Sequence, residues 1–308
     1  MVPAALTLVA ALALDRIVGD PHTPLHPVAL FGRFVGWWGR PSLYPASLQR
    51  LAGVLLWAIS VVLFALPFWL CERFAPALLL LVLSPFLLKA TFAWRSLEEH
   101  AGAVEAALAS GSLDEGRRAA GMLVSRDTRG LSAEEIRSAA YESVAENLSD
   151  SVVAPLFWFA VFAPFGLGLG LTAAAAYRAI NCMDAMLGYT DGRARLGWCA
   201  ARADDLANLL PSRISGCVGL LYFGLLGRFL PAWHCLLSDR HKRPGFNGGW
   251  PMSVVAGGTG VRFSKRGVYQ IGPGERSLAE GGADIIASVR GITLIFSFFA
   301  IIALFLWA

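Results

Sequence analysis

An all-α, polytopic integral membrane helix bundle is the fold class this sequence predicts, and three observations predict it. Of its 308 residues 56% are hydrophobic and 16% charged, against about 45 to 50% and about 25% in soluble globular domains. Mean hydropathy is +0.56. Apolar runs of the ~17 to 25 residues that cross a hydrocarbon core recur along the chain, and three are clear: Leu51 to Leu70, Ala77 to Trp94 and Ile292 to Trp307.

In chain order, the first span runs from Met1 to about Val18, with Asp15 and Arg16 at its far end. It has no positively charged start and no small-residue cleavage pattern, so it reads as a retained span rather than a removed signal peptide. "GDPHTPLHPVALFGR" follows. His22 and His26 stand at i and i+4, but Pro21, Pro24 and Pro27 forbid the helix that would aim both at one metal, and a structural turn is expected. The spans Leu51 to Leu70 and Ala77 to Trp94 come next.

Between Trp94 and Val152 the chain turns polar and helical. Ser112 precedes Glu115 by three residues and Ser132 precedes Glu135 by three, both capping-box starts; "ASGS" and "SRDTRGLS" are the breaks. In the helix after Ser132, Ile136, Ala140, Val144 and Leu148 share one face, and Ser143, Asn147 and Asp150 share another. "ESVAENLSDSVVAPLFWF" (142 to 159) then becomes apolar without a loop.

The span Val152 to Ile180 holds Pro155, Pro164 and several glycines, and reads either as one kinked helix or as two half-spans. A sixth, Ala207 to Leu230, is interrupted by Arg213. Five to six spans are expected, one broken or re-entrant, in a single membrane-embedded domain over 1–308. A cytoplasmic helical segment (96–150) and a basic, glycine-rich cytoplasmic loop (231–290) complete it.

Arg240, Lys242, Arg243, Arg262, Lys265, Arg266 and Arg276 concentrate late in the chain, which places the large loops in the cytoplasm and the N-terminus outside. A single straight pass by 152–180 would put 181–206 on the opposite side. A re-entrant break at Pro164 and Gly166 removes that conflict, provided protein or water covers the backbone. "PGFNGGWP" (244 to 251) is not expected to form a regular helix, and "VRFSKRGVYQIG" has the alternation of a short hairpin. The five cysteines show no metal-ligand or disulfide spacing.

Carboxylates and amides on one helix face at a membrane edge suit a hard cation such as Mg²⁺; the competing reading is a solvated surface helix. Asp184, Asp204 and Asp205 beside apolar spans favour function, because ionisable groups there are expensive. Arg126, Asp127, Thr128 and Arg129 form a charged turn that suits either a phosphate clamp or a self-paired salt bridge. Arg240, Lys242 and Arg243 followed by "PGFNGG" suit a phosphate loop or a topology-setting basic loop. No GxxxxGK[ST] occurs, so a nucleotide needs another site. "DGRAR" (191 to 195) falls short of the CDP-alcohol phosphotransferase signature DxxDGxxAR. Gly188 stands in place of the first aspartate, and Ala194 and Arg195 come one residue early.

Longer motifs fit another family. "LDRIVGDP", "HPVALFGR", "RDTRGLSAEEIRSAAYESVAENLSDSVVAPLFW", "YRAINCMDAMLGY", "ADDLANLLPSR" and "DRHKRPGFNGGWPMSVVAGG" resemble the adenosylcobinamide-phosphate synthase family, called CbiB or CobD, over almost the whole chain. The resemblance implies an ATP-dependent carbon–nitrogen ligase of late cobalamin biosynthesis in the cytoplasmic membrane, its active site facing the cytoplasm. Aminopropanol, generally as its O-phosphate, is joined to adenosylcobyric acid. ATP and Mg²⁺ are the expected cofactors. The bilayer and other late-pathway membrane enzymes are the expected partners, and nucleic acid is not.

On that basis Glu146, Asn147, Asp150, Asp184 and Asp205 are expected to hold Mg²⁺. Arg126, Arg240, Lys242 and Arg243 are expected to bind phosphates, with Asn247, Gly248 and Gly249 shaping the loop. Asp150, Asp184, Arg126 and Lys242 are expected at the reacting groups, and Phe157, Trp158, Trp94 and Trp250 either wall the corrinoid or anchor the interface. A transporter and a non-catalytic scaffold are the rival classes; the chain shows no pair of matching halves, which counts against the first.

Overall fold

A computed structural model describes residues 4–20, 23 and 26–307. The first helices in chain order are α1 (Ala4–Ile17), α2 (Pro27–Trp38), α3 (Gln49–Phe74), α4 (Ala77–Lys89), α5 (Trp94–Ala109), α6 (Leu113–Gly121) and α7 (Ala133–Asn147). A π-helical segment, Leu148–Val153, leads into α8 (Ala154–Phe162). There follow α9 (Leu169–Leu187), α10 (Trp198–Ala207), α11 (Leu209–Leu225), α12 (Phe229–Asp239), α13 (Gly249–Thr259), the strands β1 (Phe263–Lys265) and β2 (Tyr269–Ile271), and α14 (Leu278–Trp307). The fold is an all-α membrane helix bundle. Four stretches are long and apolar enough to cross a bilayer: Gln49–Phe74, Ala77–Ala109, Ala133–Phe165 and Leu278–Trp307, with Leu209–Leu225 a shorter apolar helix. The expected first span is shorter than 18 residues in α1, and Met1, Val2 and Pro3 lie outside the described residues.

Packing divides the chain into two compact units where hydropathy suggested a single domain. One comprises Met1–Ala93, Ala154–Asn208 and Phe298–Ala308, the other Trp94–Val153 and Leu209–Ser297. Hydropathy reads along the chain, whereas each unit is assembled from segments far apart in sequence.

In the first unit α9 packs against α2, α3, α8 and α10, and α1 against α4. The expected break in 152–180 is present. A 3-10 turn, Ala163–Phe165, ends α8, and Gly166, Leu167 and Gly168 all take positive φ before α9 begins. Gly168 offers no side-chain cap. Instead Glu72, in the last turn of α3, accepts from Leu171 N at 2.8 Å, supplying the acceptor that a helix start lacks. Lys89 is buried and held by Asp15 (3.1 Å) and Asp20 (2.5 Å), as a charge at membrane depth requires. His26 Nδ1 caps α2, which opens on Pro27; Pro21, His22, Pro24 and Leu25 lie outside the described residues.

In the second unit both capping-box serines cap helices as expected, Ser112 on α6 and Ser132 reciprocally with Glu135 on α7. The apolar face of α7 is buried, Ile136, Ala140, Val144 and Leu148 being at most 1% exposed. Burial extends to Glu142 and Ser143, so α7 is not a solvated surface helix. The expected hairpin forms, Phe263 pairing with Ile271 and Lys265 with Tyr269.

Residues 231–290 are mostly regular structure rather than a loop. Every residue of α13 but Trp250 is buried. A Cβ at Gly257 would stand 2.5 Å from Cys235 Cβ, and one at Gly258 2.4 Å from the Phe223 ring, so two small residues bring α13 hard against α12 and α11. The helix also takes in Gly249, Trp250 and Pro251, beyond what "PGFNGGWP" suggested. Pro251 is tolerated there because a first-turn N–H has no helical acceptor.

Candidate functional site

In the second unit the helix change at Leu148–Val153 sets the height of a charged cluster. Pro155 has no N–H to donate to the Ser151 carbonyl, and the chain takes a π register immediately before it; such bulges recur at functional sites. One turn earlier Glu142, only 5% exposed, accepts from Ser138 Oγ (2.6 Å), Tyr269 OH (2.8 Å) and Arg126 Nη2 (3.2 Å). Burial, then the Glu142 carboxylate, pushes the Tyr269 phenol far above its usual range. Next along the helix Glu146 binds Arg243 Nη2. Burial opposes the Arg243 charge, but Glu146, Tyr269, Asp150 and Glu142 outweigh it and keep the guanidinium charged.

The glycine turn closes on this pair. A Cβ at Gly248 would lie 2.9 Å from Glu146 Oε1 and 3.0 Å from the Arg243 guanidinium, and one at Gly249 would lie 1.9 Å from the Arg240 carbonyl. At Gly249 the obstacle is backbone, so only glycine fits there. Asn247 is buried, its Oδ1 accepting from Arg213 Nη1 (2.6 Å) and Ser212 Oγ (3.3 Å). Trp250 carries Arg213 at 5.3 Å and Arg240 at 5.5 Å from its ring centroid. An open cavity of about 640 Å³ beside the hairpin is lined by Ser132, Glu135, Lys265, Arg266 and Tyr269 among others.

The first unit carries a second polar cluster, where α9 packs on α10. Asn181 Nδ2 donates to Asp204 Oδ1 (3.2 Å), Arg178 donates to Asn181 Oδ1 (3.3 Å), and Tyr177 OH donates to Asn208 Oδ1 (2.8 Å). Burial, then Asp184, raises the Asp204 carboxyl well above the ordinary carboxylate range. Asp184 folds over Gly188, where a Cβ would meet its Oδ1 at 1.9 Å.

With this geometry in view, comparison with known proteins is decisive. The CobD/Cbib protein family model matches residues 8–292. The chain belongs to the CobD/Cbib family. It is 39% identical to the probable cobalamin biosynthesis protein CobD of Methanothermobacter thermautotrophicus, covering 86% of each chain. It is 37% identical to that of Thermococcus kodakarensis over 99% of this chain and 96% of the relative. The cobalamin biosynthesis protein CobD of Geobacter metallireducens is 37% identical over 87% and 84%. No solved structure matches.

In this CobD/Cbib chain the expected site residues are distributed as follows. Arg126, Glu146, Asn147, Asp150, Arg240, Lys242, Arg243, Asn247, Gly248 and Gly249 belong to the second unit, Asp184 and Asp205 to the first. Asn147 is engaged by Ser143 and Ser151. Asp205 pairs with Arg202 at 3.2 Å. Lys242 binds Asp239 (2.6 Å) on the wall of a separate cavity of about 480 Å³. The charged turn divides: Arg126 reaches Glu142, while Asp127 and Arg129 pair in solvent, and that guanidinium pulls the Asp127 carboxyl down to about 2. Trp94 is buried, and Trp158 donates to the Ala207 carbonyl at 3.1 Å.

Sequence reasoning gave no role to Arg213 or Tyr269. Arg213 looked like an interruption of a span, and Tyr269, 127 residues from Glu142, carries no local signal of their contact.

Proposed function

We propose that the chain acts in cobalamin biosynthesis as an ATP-dependent carbon–nitrogen ligase. It joins (R)-1-aminopropan-2-ol, as its O-phosphate, to the free propionate carboxyl of adenosylcobyric acid, giving adenosylcobinamide phosphate. Its relatives' names, cobalamin biosynthesis protein CobD, support the pathway. The observation that carries the reaction class is the second unit's cluster. Guanidiniums of Arg126 and Arg243, carboxylates of Glu142, Glu146 and Asp150, and the Gly248–Gly249 turn are gathered at one helix irregularity.

A carboxylate is a poor acyl donor. Phosphoryl transfer from ATP to the carboxylate with release of ADP, followed by attack of the neutral amine on the acyl phosphate with loss of inorganic phosphate, is the route such a cluster can assist. Guanidiniums neutralise charge as it moves between phosphate and carboxyl oxygens, and a carboxylate accepts the ammonium proton. Among the described residues no three His, Cys, Asp or Glu side chains form a ready-made metal cage. That accords with Mg²⁺ that arrives on ATP and takes only one or two protein carboxylates. Asp150, beside Glu146 and Asn147, is the donor proposed in this unit; Asp184 and Asp205 are the donors proposed in the other. A bound Mg²⁺ would neutralise triphosphate charge. The site is proposed to face the cytoplasm, where ATP is made.

Purified protein given adenosylcobyric acid, aminopropanol phosphate and ATP with Mg²⁺ should yield a product whose mass corresponds to amide formation. Asp150→Asn and Asp184→Asn should each abolish it in protein that still inserts. Vesicle uptake without product would instead establish a transporter, a class favoured by the α8–α9 break. Absence of both signals would leave the scaffold reading.

A further inference from the structure

The charged groups around the glycine turn are not equivalent. Arg126, Arg243 and Lys242 each already hold a carboxylate: Glu142, Glu146 and Asp239. Their charges are already balanced by those partners. Arg213 and Arg240 differ. Arg213 donates through Nη1 alone, to the Leu209 carbonyl (3.0 Å), Ser212 Oγ (2.9 Å) and Asn247 Oδ1 (2.6 Å), all neutral acceptors. Arg240 donates from Nε to His241 Nε2 (3.1 Å). Among the described residues neither has a carboxylate partner, and the Nη2 and Nε of Arg213 and both Nη atoms of Arg240 have no acceptor.

Both guanidiniums nevertheless stand against one indole, that of Trp250. The arrangement is built rather than incidental. Arg213 and Gly216 are one turn apart on α11, and a Cβ at Gly216 would stand 3.1 Å from the Trp250 ring, so the missing side chain lets the indole seat. Asn247 fixes the Arg213 fork from the other direction, and the first turn of α13 has no side-chain cap. Two like charges gathered without a counter-charge repel each other; a dianion between them removes that repulsion. Guanidinium edges match phosphate oxygens in paired hydrogen bonds.

The geometry points to a phosphate-dianion site made by Arg213 and Arg240 on Trp250, taking the phosphate of a soluble phosphorylated ligand. The naming of candidate ligands rests on the ligase reading: the terminal phosphates of ATP or the phosphate of the amino alcohol. Arg213 and Arg240 then bind the resting phosphate, while Arg126 and Arg243, paired with their carboxylates at rest, neutralise charge as it moves during transfer.

The test uses the full chain in phosphatidylcholine nanodiscs, with calorimetric binding of aminopropanol phosphate, ATP with Mg²⁺, and unphosphorylated aminopropanol. Arg213→Gln and Arg240→Gln should each weaken at least one phosphorylated probe by about 10- to 100-fold, as loss of a charge-assisted pair implies, and leave aminopropanol unchanged. Weakening of ATP alone assigns the site to the nucleotide, and weakening of aminopropanol phosphate alone assigns it to the amine donor. Arg→Lys variants, which keep charge but lose the fork, should recover part of the affinity; if a Gln variant does not fold, these carry the test.

Wild-type affinity for both phosphorylated probes in folded variants overturns the site. So does an effect that appears only when phosphatidylglycerol replaces part of the phosphatidylcholine in the nanodisc, which would make it a lipid-headgroup contact. Amide product is assayed on the same samples. Binding without product in the wild type sinks the ligase reading and leaves the site standing, while unchanged binding in variants that still make product does the reverse.

Discussion

Glu142 joins three elements through one carboxylate, so its loss should be felt beyond its own helix. Glu142→Ala strands Tyr269 OH and the largely buried Arg126 and leaves Ser138 Oγ only its Ser264 partners, and unpairing a buried charge and its hydrogen bonds costs about 2 to 4 kcal/mol. Glu142→Gln keeps the shape and an acceptor and should lose less. The order Ala below Gln below wild type, read as unfolding midpoints in one detergent, checks this. In the other unit Asp204 gives a pH signature of definite sign. Burial, then Asp184, raises its carboxyl from 3.8, so between 3.8 and the raised value the folded chain binds more protons than the unfolded one, and stability falls as pH rises. Asp204→Asn removes that loss. Its stabilisation relative to wild type should be absent in acid below 3.8, grow through the window and level off above it; a pH-independent difference in melting would contradict the assignment. Both residues show the limit of reading a sequence. Asp204 was visible as a costly group beside a span, because composition alone marks it. The Tyr269 and Arg126 partners of Glu142, and the lack among the described residues of a carboxylate partner for Arg213, are products of tertiary packing and leave no mark on local spacing.

At the scale of elements, spacing and turn chemistry carried further. The Ser132 box, the buried α7 stripe, the hairpin and the break after Pro164 each follow from a few neighbouring residues, and each is present. The π segment and the burial of α13 did not show, since one depends on how a proline-starved ladder re-registers and the other on which helices the glycines meet. The α8–α9 turn makes two predictions of opposite sign. Leu167 holds a φ of 57°, which costs a side-chain-bearing residue about 1 to 2 kcal/mol. After the extra unfolded-state entropy of glycine, Leu167→Gly should still stabilise by about 0.5 to 1 kcal/mol. Glu72→Ala removes the acceptor that caps α9 from α3 and should destabilise by about 1 kcal/mol, while Glu72→Gln keeps an acceptor oxygen and should lose much less. Thermal unfolding of the three variants in one detergent measures both effects.

For the whole molecule, each unit holds a polar cluster to which the ligase reading gives a role, and that reading requires that the carboxylates of the first unit be open to the compartment that supplies ATP. Residues 181–206 decide this. A straight pass through 152–180 would place them outside, whereas the break at Gly166–Gly168, where α8 turns back to pack against α9, allows the chain to return to the side from which it came. Cys199 lies in α10 and is a free, half-buried thiol, so it reports on the segment directly once Cys71, Cys182, Cys217 and Cys235 are replaced by serine. Burial pushes its thiol up, and thiolate is the reactive form, so labelling with a membrane-impermeant maleimide belongs at mildly alkaline pH with a matched denatured control. The expected result is labelling only after permeabilisation. Labelling of Cys199 in intact cells would put Asp184 and Asp205 on the face away from ATP, and the metal role proposed for the first unit would fall. The phosphate site on Trp250, argued from the second unit alone, would stand.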